Sequence, residues 1–239
     1  MTSKILKIDI PFVSGQAKIF LNNDHSAWIT LEYLPQELRK YAEENFQKLF
    51  DLRDGTNTTT LRNTIVEDKL VSCALECEHY YQSYLKTPPL VANVTDFKKN
   101  YMFASSTEAS NTKDSVPELF QPFHKYLGEV DYNQLVINWY ERDMFLKNHT
   151  DWLGGMKKEA NIALVNLNRK DANCEKRTLV IVPTNRKFKK TSAYNTFNIK
   201  LHHGLIVKLY GKAKSDYSHG IPLAENQVDR IGVTFRSYE

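Results

Sequence analysis

Apolar positions in this chain recur with two different periods. From residue 134 onward the spacing is that of strands. Short runs rich in Val, Ile, Leu and aromatic residues occupy 134–140, 161–167, 178–183, 194–200, 204–210 and 230–236, with turn residues between them. Before residue 134 the texture is mixed. Ile5-Leu-Lys-Ile-Asp-Ile10 and Ala17-Lys-Ile-Phe-Leu21 alternate in part, and Ala27-Trp-Ile-Thr-Leu-Glu-Tyr33 is rich in β-formers. Pro35 opens a helix over 36–50, where Leu38, Tyr41, Ala42, Phe46, Leu49 and Phe50 recur at helical spacing. The spacing of Leu70, Cys73, Ala74, Cys77, Tyr80 and Tyr81 predicts a second helix over 67–85, broken by Pro88-Pro89. Strands are expected within 90–103 and a polar loop over 105–115. Ser115 and Pro117 mark the start of a third helix that ends near Gly128.

No repeat and no linker composition interrupts the 239 residues. The reading is therefore one domain, α+β and mainly β. Residues 1–130 form a mixed α/β elaboration whose helices pack on one sheet, and residues 131–239 form an antiparallel sandwich or barrel core.

Composition narrows this picture. The chain is 41% hydrophobic and 25% charged, with 13 Tyr and 12 Phe, enough to build a sizeable core. A net charge of +4 permits a polyanionic partner without requiring one. There is no apolar run of membrane-spanning length and no secretory h-region at the N-terminus. Three cysteines cannot all pair, and reduced thiols of an intracellular protein are expected, cytoplasmic or nuclear. The Asn-x-Ser/Thr matches at Asn57, Asn93 and Asn148 are then chance.

Candidate chemistry centres on His149 and Asp151. They follow the strand-like run 134–140, and residues two apart in a strand share a face. An imidazole and a carboxylate converging in this way can hold a divalent metal, and one more histidine would complete a 2-His-1-carboxylate set. Position along the chain leaves His202, His203 and His219 as contenders for the third ligand. The run Arg230-Ile-Gly-Val-Thr-Phe-Arg236 separates into an apolar face (Ile231, Val233, Phe235) and a second face (Arg230, Gly232, Thr234, Arg236). Two arginines flanking a glycine suit a dicarboxylate, because guanidinium meets carboxylate as a fork and the missing side chain leaves space.

Taken together, these motifs resemble the AlkB-type Fe(II)/2-oxoglutarate-dependent dioxygenases. The family pattern of Asn-x-Tyr followed by His-x-Asp, with the His eleven residues after the Asn, is met by Asn138, Tyr140, His149 and Asp151. Its distal block is met by Gly211 and His219-Gly-Ile-Pro222, and its closing Arg-x5-Arg strand by Arg230 and Thr234-Phe-Arg236. Three motifs in order are far more specific than one. The resemblance implies a double-stranded β-helix, or jelly roll. It implies His149, Asp151 and His219 as Fe(II) ligands, and Arg230 with Tyr140 on the distal carboxylate of 2-oxoglutarate. Asn138 and Arg236 would line the same pocket. The implied reaction is an oxidation that hydroxylates or demethylates a methylated nucleobase in DNA or RNA, while 2-oxoglutarate becomes succinate and CO2. The same chemistry on a protein side chain or small molecule is the alternative, and a non-catalytic jelly-roll binding module is the third reading.

The chain departs from the family in two places. Gly232 stands where the family often has Asn two residues after the first Arg, and Trp152-Leu-Gly-Gly-Met156 stands where nucleic-acid repair members often carry a further acid. Tyr101-Met-Phe103 falls where relatives carry an aromatic substrate-side segment. The basic run containing Arg186, Lys187, Lys189 and Lys190 is the candidate for phosphate contacts, although a solvated hairpin loop has the same composition.

Overall fold

A computed structural model describes residues 4–11, 15–52, 62–66, 69–73, 78–84, 111–112, 118–128, 132, 134–141, 144–151, 153, 156–170, 175–184, 195–223 and 227–237. The protein is mostly β. In chain order the N-terminal part contributes β1 (Ile5–Ile8), β2 (Ala17–Phe20), β3 (Ala27–Tyr33), α1 (Gln36–Glu44), α2 (Phe46–Asp51), β4 (Arg62–Val66), β5 (Lys69–Cys73), β6 (Glu78–Tyr84), β7 (Asn111–Thr112) and α3 (Gln121–Leu127). The C-terminal part contributes β8 (Gln134–Tyr140), β9 (Leu146–His149), β10 (Ile162–Asn168), β11 (Thr178–Pro183), β12 (Thr196–Lys200), β13 (Leu205–Gly211), β14 (Tyr217–Ile221) and β15 (Arg230–Arg236).

These strands form an eight-stranded sheet, ordered β2-β3-β13-β10-β15-β8-β6-β7, and a five-stranded sheet, ordered β1-β12-β11-β14-β9, while β4 and β5 pair separately. Apolar side chains from both sheets meet in one core, with Leu31, Ile162, Val207 and Leu209 from the large sheet and Leu179, Ile181, Phe197 and Ile199 from the small one. The other face of the large sheet is covered by helices. Ala42, Phe46, Leu49, Phe50, Phe123 and Leu127 pack on Ile137, Trp139, Val165, Ile231, Val233 and Phe235. The central strands of the large sheet are thus covered on both faces. For that reason β10 and β15 are buried almost throughout, and β15 at every position.

The helices lie on one sheet, as expected, but the N-terminal part does more than pack. β1 extends the small sheet beside β12, β3 pairs with β13, and β6 pairs with β8, so N-terminal strands are built into both sheets. The helix expected over 67–85 is a correction. Lys69–Cys73 and Glu78–Tyr84 are strands. The first contains Leu-Val and the second three tyrosines, residues that favour strands, and the backbone of β8 offers β6 a long antiparallel partner. Pairing therefore overrides the helical spacing, and His79 sits on a strand opposite Asn138. The helix expected over 36–50 is interrupted at Asn45, whose backbone leaves the helical region (φ −105°, ψ 9°) while its side-chain amide donates to the Tyr41 carbonyl at 2.9 Å. The third helix ends at Gly128, whose φ of 106° suits glycine. The expected strands within 90–103, the loop over 105–115 and the caps Ser115 and Pro117 lie outside the described residues.

Among the strands with no expected counterpart are β9 and β14, the pair that carries the histidines. β14 contains a glycine and β9 is half polar, so neither has the composition of a strand. Gly220 explains how they pair. A Cβ there would lie 2.7 Å from the Leu146 carbonyl oxygen and 2.8 Å from the Asn148 nitrogen, at a register shift between His219 and Ile221. Only a glycine lets the two backbones come this close.

Arg177, fully buried just before β11, ties the ends of the site-bearing segments. It donates to the carbonyls of Glu141 and Met144, between β8 and β9, and to the Val228 carbonyl and the Gln227 side chain, ahead of β15. Replacing it leaves several buried acceptors unsatisfied, at about 1–3 kcal/mol each. Arg177→Met should therefore lower the urea midpoint by an amount equivalent to roughly 3 kcal/mol or more, with an unchanged m-value. A loss below about 1 kcal/mol would show that these bonds do not hold the connections together.

Candidate metal centre

The inner face of the sandwich is polar at one place. There β8 presents Asn138 and Tyr140, directly opposite Gly232 and Arg230 of β15. Across the sandwich, β9 and β14 set His149 directly opposite His219. Asp151 follows β9 by two residues, as expected from the spacing.

His149, Asp151 and His219 come together with their ligand atoms all within 4.8 Å of one another. The two imidazole centroids are 4.5 Å apart, and His219 Nε2 lies 3.5 Å from Asp151 Oδ2. Asp151 and His219 are 5% and 6% exposed. This group can hold a metal ion, and three local features fit one. First, Asp151 Oδ2 is buried and accepts no hydrogen bond, whereas Oδ1 is bound by Arg236 Nη2. A buried carboxylate oxygen without a donor is costly unless a cation completes it. Second, His149 Nδ1 lies 2.9 Å from the Lys147 carbonyl oxygen. That bond puts the proton on Nδ1 and leaves the lone pair on Nε2. Third, the protonation states suit ligation. Burial alone would raise the Asp151 pKa, but Arg236 and both histidines outweigh it and hold the group down at about 2. Burial pushes His219 below its ordinary value, against the pull of Asp151, which favours the neutral form that a metal binds.

The other contenders are engaged elsewhere. His202 Nε2 lies 2.6 Å from Asp9 Oδ1. His203 takes the backbone N–H of Asn168 on Nδ1 and faces the Arg39 carbonyl with Nε2. His25 occupies a turn with φ 60° and stacks on Phe20, and His124 stacks on Phe235.

Both arginines of β15 face this cavity, which Asn138, Tyr140, His149, Asp151 and His219 also line. Arg236 is spent on Asp151. Arg230 lies over the Tyr140 ring at 4.6 Å and donates from Nε to Asn166 Oδ1, while its Nη1 is buried without a partner. Gly232 does leave space, as its place between the arginines suggested. That space is filled by Arg230 itself, whose Nη2 would lie 2.7 Å from a Cβ at 232. β15 is a central strand, between β10 and β8, so both arginines lie inside the protein. Asn166 was not singled out from the sequence, yet a signal existed. In Ile162-Ala-Leu-Val-Asn-Leu-Asn168, two asparagines share one face of an otherwise apolar strand. Trp152, Tyr101, Phe103, Arg186, Lys187, Lys189 and Lys190 lie outside the described residues. Among the described residues no helix is long and apolar enough to cross a membrane.

A divalent ion should stabilise this protein through these three side chains. At a free concentration about 100 times its Kd, the gain is roughly 2.7 kcal/mol. In thermal melts with Mn(II), His149→Ala, Asp151→Ala and His219→Ala should each lose the shift, and His202→Ala should keep it. A shift that survives His219→Ala and vanishes in His202→Ala would move the distal ligand.

No protein-family model matches the chain, and no curated protein matches it.

Proposed function

We propose that this chain is an Fe(II)/2-oxoglutarate-dependent dioxygenase of the AlkB type that oxidises a methylated nucleobase in DNA or RNA. The observation that carries the reading is the pairing, in one cavity, of a 2-His-1-carboxylate cluster bearing an unsatisfied Asp151 oxygen with a buried, half-unpartnered Arg230. Such a ligand set leaves coordination positions open and is characteristic of non-haem Fe(II) oxygenases. The strand order supports a jelly roll. β8, β10, β13 and β15 are adjacent in one sheet and β9, β11, β12 and β14 in the other, so the chain alternates between facing sheets except at the β11–β12 pair.

When bound, iron and 2-oxoglutarate would supply oxygen activation, with one oxygen atom entering a substrate C–H bond as the cosubstrate becomes succinate and CO2. The residues of the chain supply position and shielding. His149 is oriented by the Lys147 carbonyl and Asp151 by Arg236, so these ligands are set before an ion arrives. Arg230 offers Nη1 to the distal carboxylate, with Tyr140 beneath its guanidinium and Asn138 on the same wall. Leu146, Leu164, Leu179, Leu201 and Ile221 keep the cavity largely apolar, which strengthens each polar contact within it.

A methyl group on a base nitrogen, once hydroxylated, leaves as formaldehyde, so oxidation and demethylation are one reaction class. The second substrate reading is a protein side chain or small molecule, favoured by Trp152 standing in place of an acid after Asp151. The intact ligand set and both arginines weigh against a non-catalytic module.

Succinate release followed by mass spectrometry, with methylated oligonucleotides, peptides or no substrate, tests the reading. Oligonucleotide-stimulated succinate with loss of a methyl group is the expected result, and no succinate under any condition would overturn it. Reversing the charge of Lys187, Lys189 and Lys190 should weaken binding of all oligonucleotides alike and flatten its salt dependence, by about one counterion per lost contact. Arg230→Ala should raise the 2-oxoglutarate requirement by about 3–5 kcal/mol, the cost of stripping one partner from a buried ion pair. Arg230→Lys should recover only part of this, since an ammonium makes no fork. Unchanged 2-oxoglutarate affinity in Arg230→Ala would place the cosubstrate elsewhere.

A further inference from the structure

An arginine that recognises a carboxylate as a fork has to be held in one plane, and Arg230 is held by a residue on another strand. Asn166 of β10 stands directly opposite Gly232 of β15. It is buried, and both ends of its amide are engaged. Nδ2 faces the His202 carbonyl at 2.8 Å, the Leu201 carbonyl at 3.2 Å and Asn168 Oδ1 at 3.1 Å. Three acceptors on one side fix which end of the amide is nitrogen, so only Oδ1 can face the guanidinium, and it accepts from Nε. From the opposite side Gly232 removes the obstacle, since a Cβ there would lie 2.7 Å from Nη2 and 3.0 Å from Nη1. Arg230 is therefore clamped at Nε, laid across a glycine and backed by Tyr140. Nη1 is left buried and unpartnered.

Asn166 is also neutral. An aspartate in its place would satisfy Arg230 inside the protein and cancel its charge. An amide fixes the orientation and leaves the positive charge for a ligand.

We propose that Asn166 is a positioning residue that, with Gly232, presents Arg230 to the distal carboxylate and so makes the site select a dicarboxylate over a monocarboxylate 2-oxoacid. This inference rests on the proposed function, and the test separates the two.

The measurement is isothermal titration calorimetry of the Mn(II)-loaded protein with 2-oxoglutarate and with pyruvate, which shares the 2-oxoacid group and lacks the distal carboxylate. The native protein should prefer 2-oxoglutarate by 100-fold or more. Asn166→Ala should cut that preference at least tenfold while pyruvate affinity stays within twofold. Asn166→Asp should cut it further, because the new carboxylate occupies Arg230. Gly232→Ala reaches the guanidinium from the other side without touching the Asn166 bonds to Leu201 and His202. It should also lose at least tenfold, and it decides the matter if Asn166→Ala does not fold. Full preference retained in Asn166→Ala or in Gly232→Ala, while Arg230→Ala loses it, overturns the role of Asn166 and leaves the cosubstrate reading standing. No preference for 2-oxoglutarate in the native protein overturns that reading and this inference together.

Discussion

The interior of this protein depends on how two guanidiniums are kept out of water. β15 is buried along its whole length, so Arg230 and Arg236 cannot reach solvent. An uncompensated charge in such a place costs several kcal/mol, and a buried arginine must find an opposite charge, a ligand or, as Arg177 does, acceptors for its donors. Arg236 finds Asp151. Among the described residues, Arg230 finds only neutral groups, the Asn166 amide and the Tyr140 ring. The difference between the two arginines divides the cavity into a metal end, already charge-balanced, and an anion end, which is not.

The rest of the fold follows from placing β15 there. Its odd positions, Ile231, Val233 and Phe235, need an apolar cover, and the helices α1, α2 and α3 provide it. Its other face needs a second wall carrying complementary groups, and the small sheet provides that. β14 and β9 bring His219 and His149 opposite one another because Gly220 lets the two backbones close. Arg177 then fixes the connections on either side, bonding the segment that leads into β9 and the segment that leads into β15. Site and scaffold are one polar network enclosed by two apolar layers.

This division explains what could be read in the sequence. The faces of β15 were legible because alternation is local: apolar and polar positions separate within seven residues. Its central position was not, since an edge strand with a solvated arginine face has the same alternation, and only pairing with β10 and β8 distinguishes them. His149 and Asp151 were legible as a pair by spacing, and His219 by its motif. β9 and β14 were not legible as strands, because their pairing is bought by a missing side chain rather than by β-forming residues. The helix expected over 67–85 shows the reverse case, where a helical spacing of Leu70, Cys73 and Tyr80 was overruled by strand pairing, with the adjacent β4 for one strand and the distant β8 for the other. Asn166 lay in between: its burial could be inferred from an apolar strand, but its partner sits 64 residues away.

The two ends of the cavity constrain each other electrostatically. Among the described residues, the site sets one carboxylate, Asp151, against two guanidiniums, Arg230 and Arg236, an excess of positive charge before any ligand arrives. A divalent cation at the histidines adds to that charge inside a low-dielectric enclosure, where like charges repel far more strongly than in water. A dicarboxylate at Arg230 removes it. On the proposed reading, metal and cosubstrate therefore favour each other's binding without touching the same residues, because each corrects the imbalance the other meets. The arrangement also accounts for the neutrality of Asn166. A carboxylate at that position would balance the empty site and make it a better apo structure, but it would take away the charge that draws the anion in. The buried, unpartnered Nη1 of Arg230 and the unsatisfied Oδ2 of Asp151 are then two halves of one device, a stable fold that carries opposite unmet demands at the two ends of a single cavity.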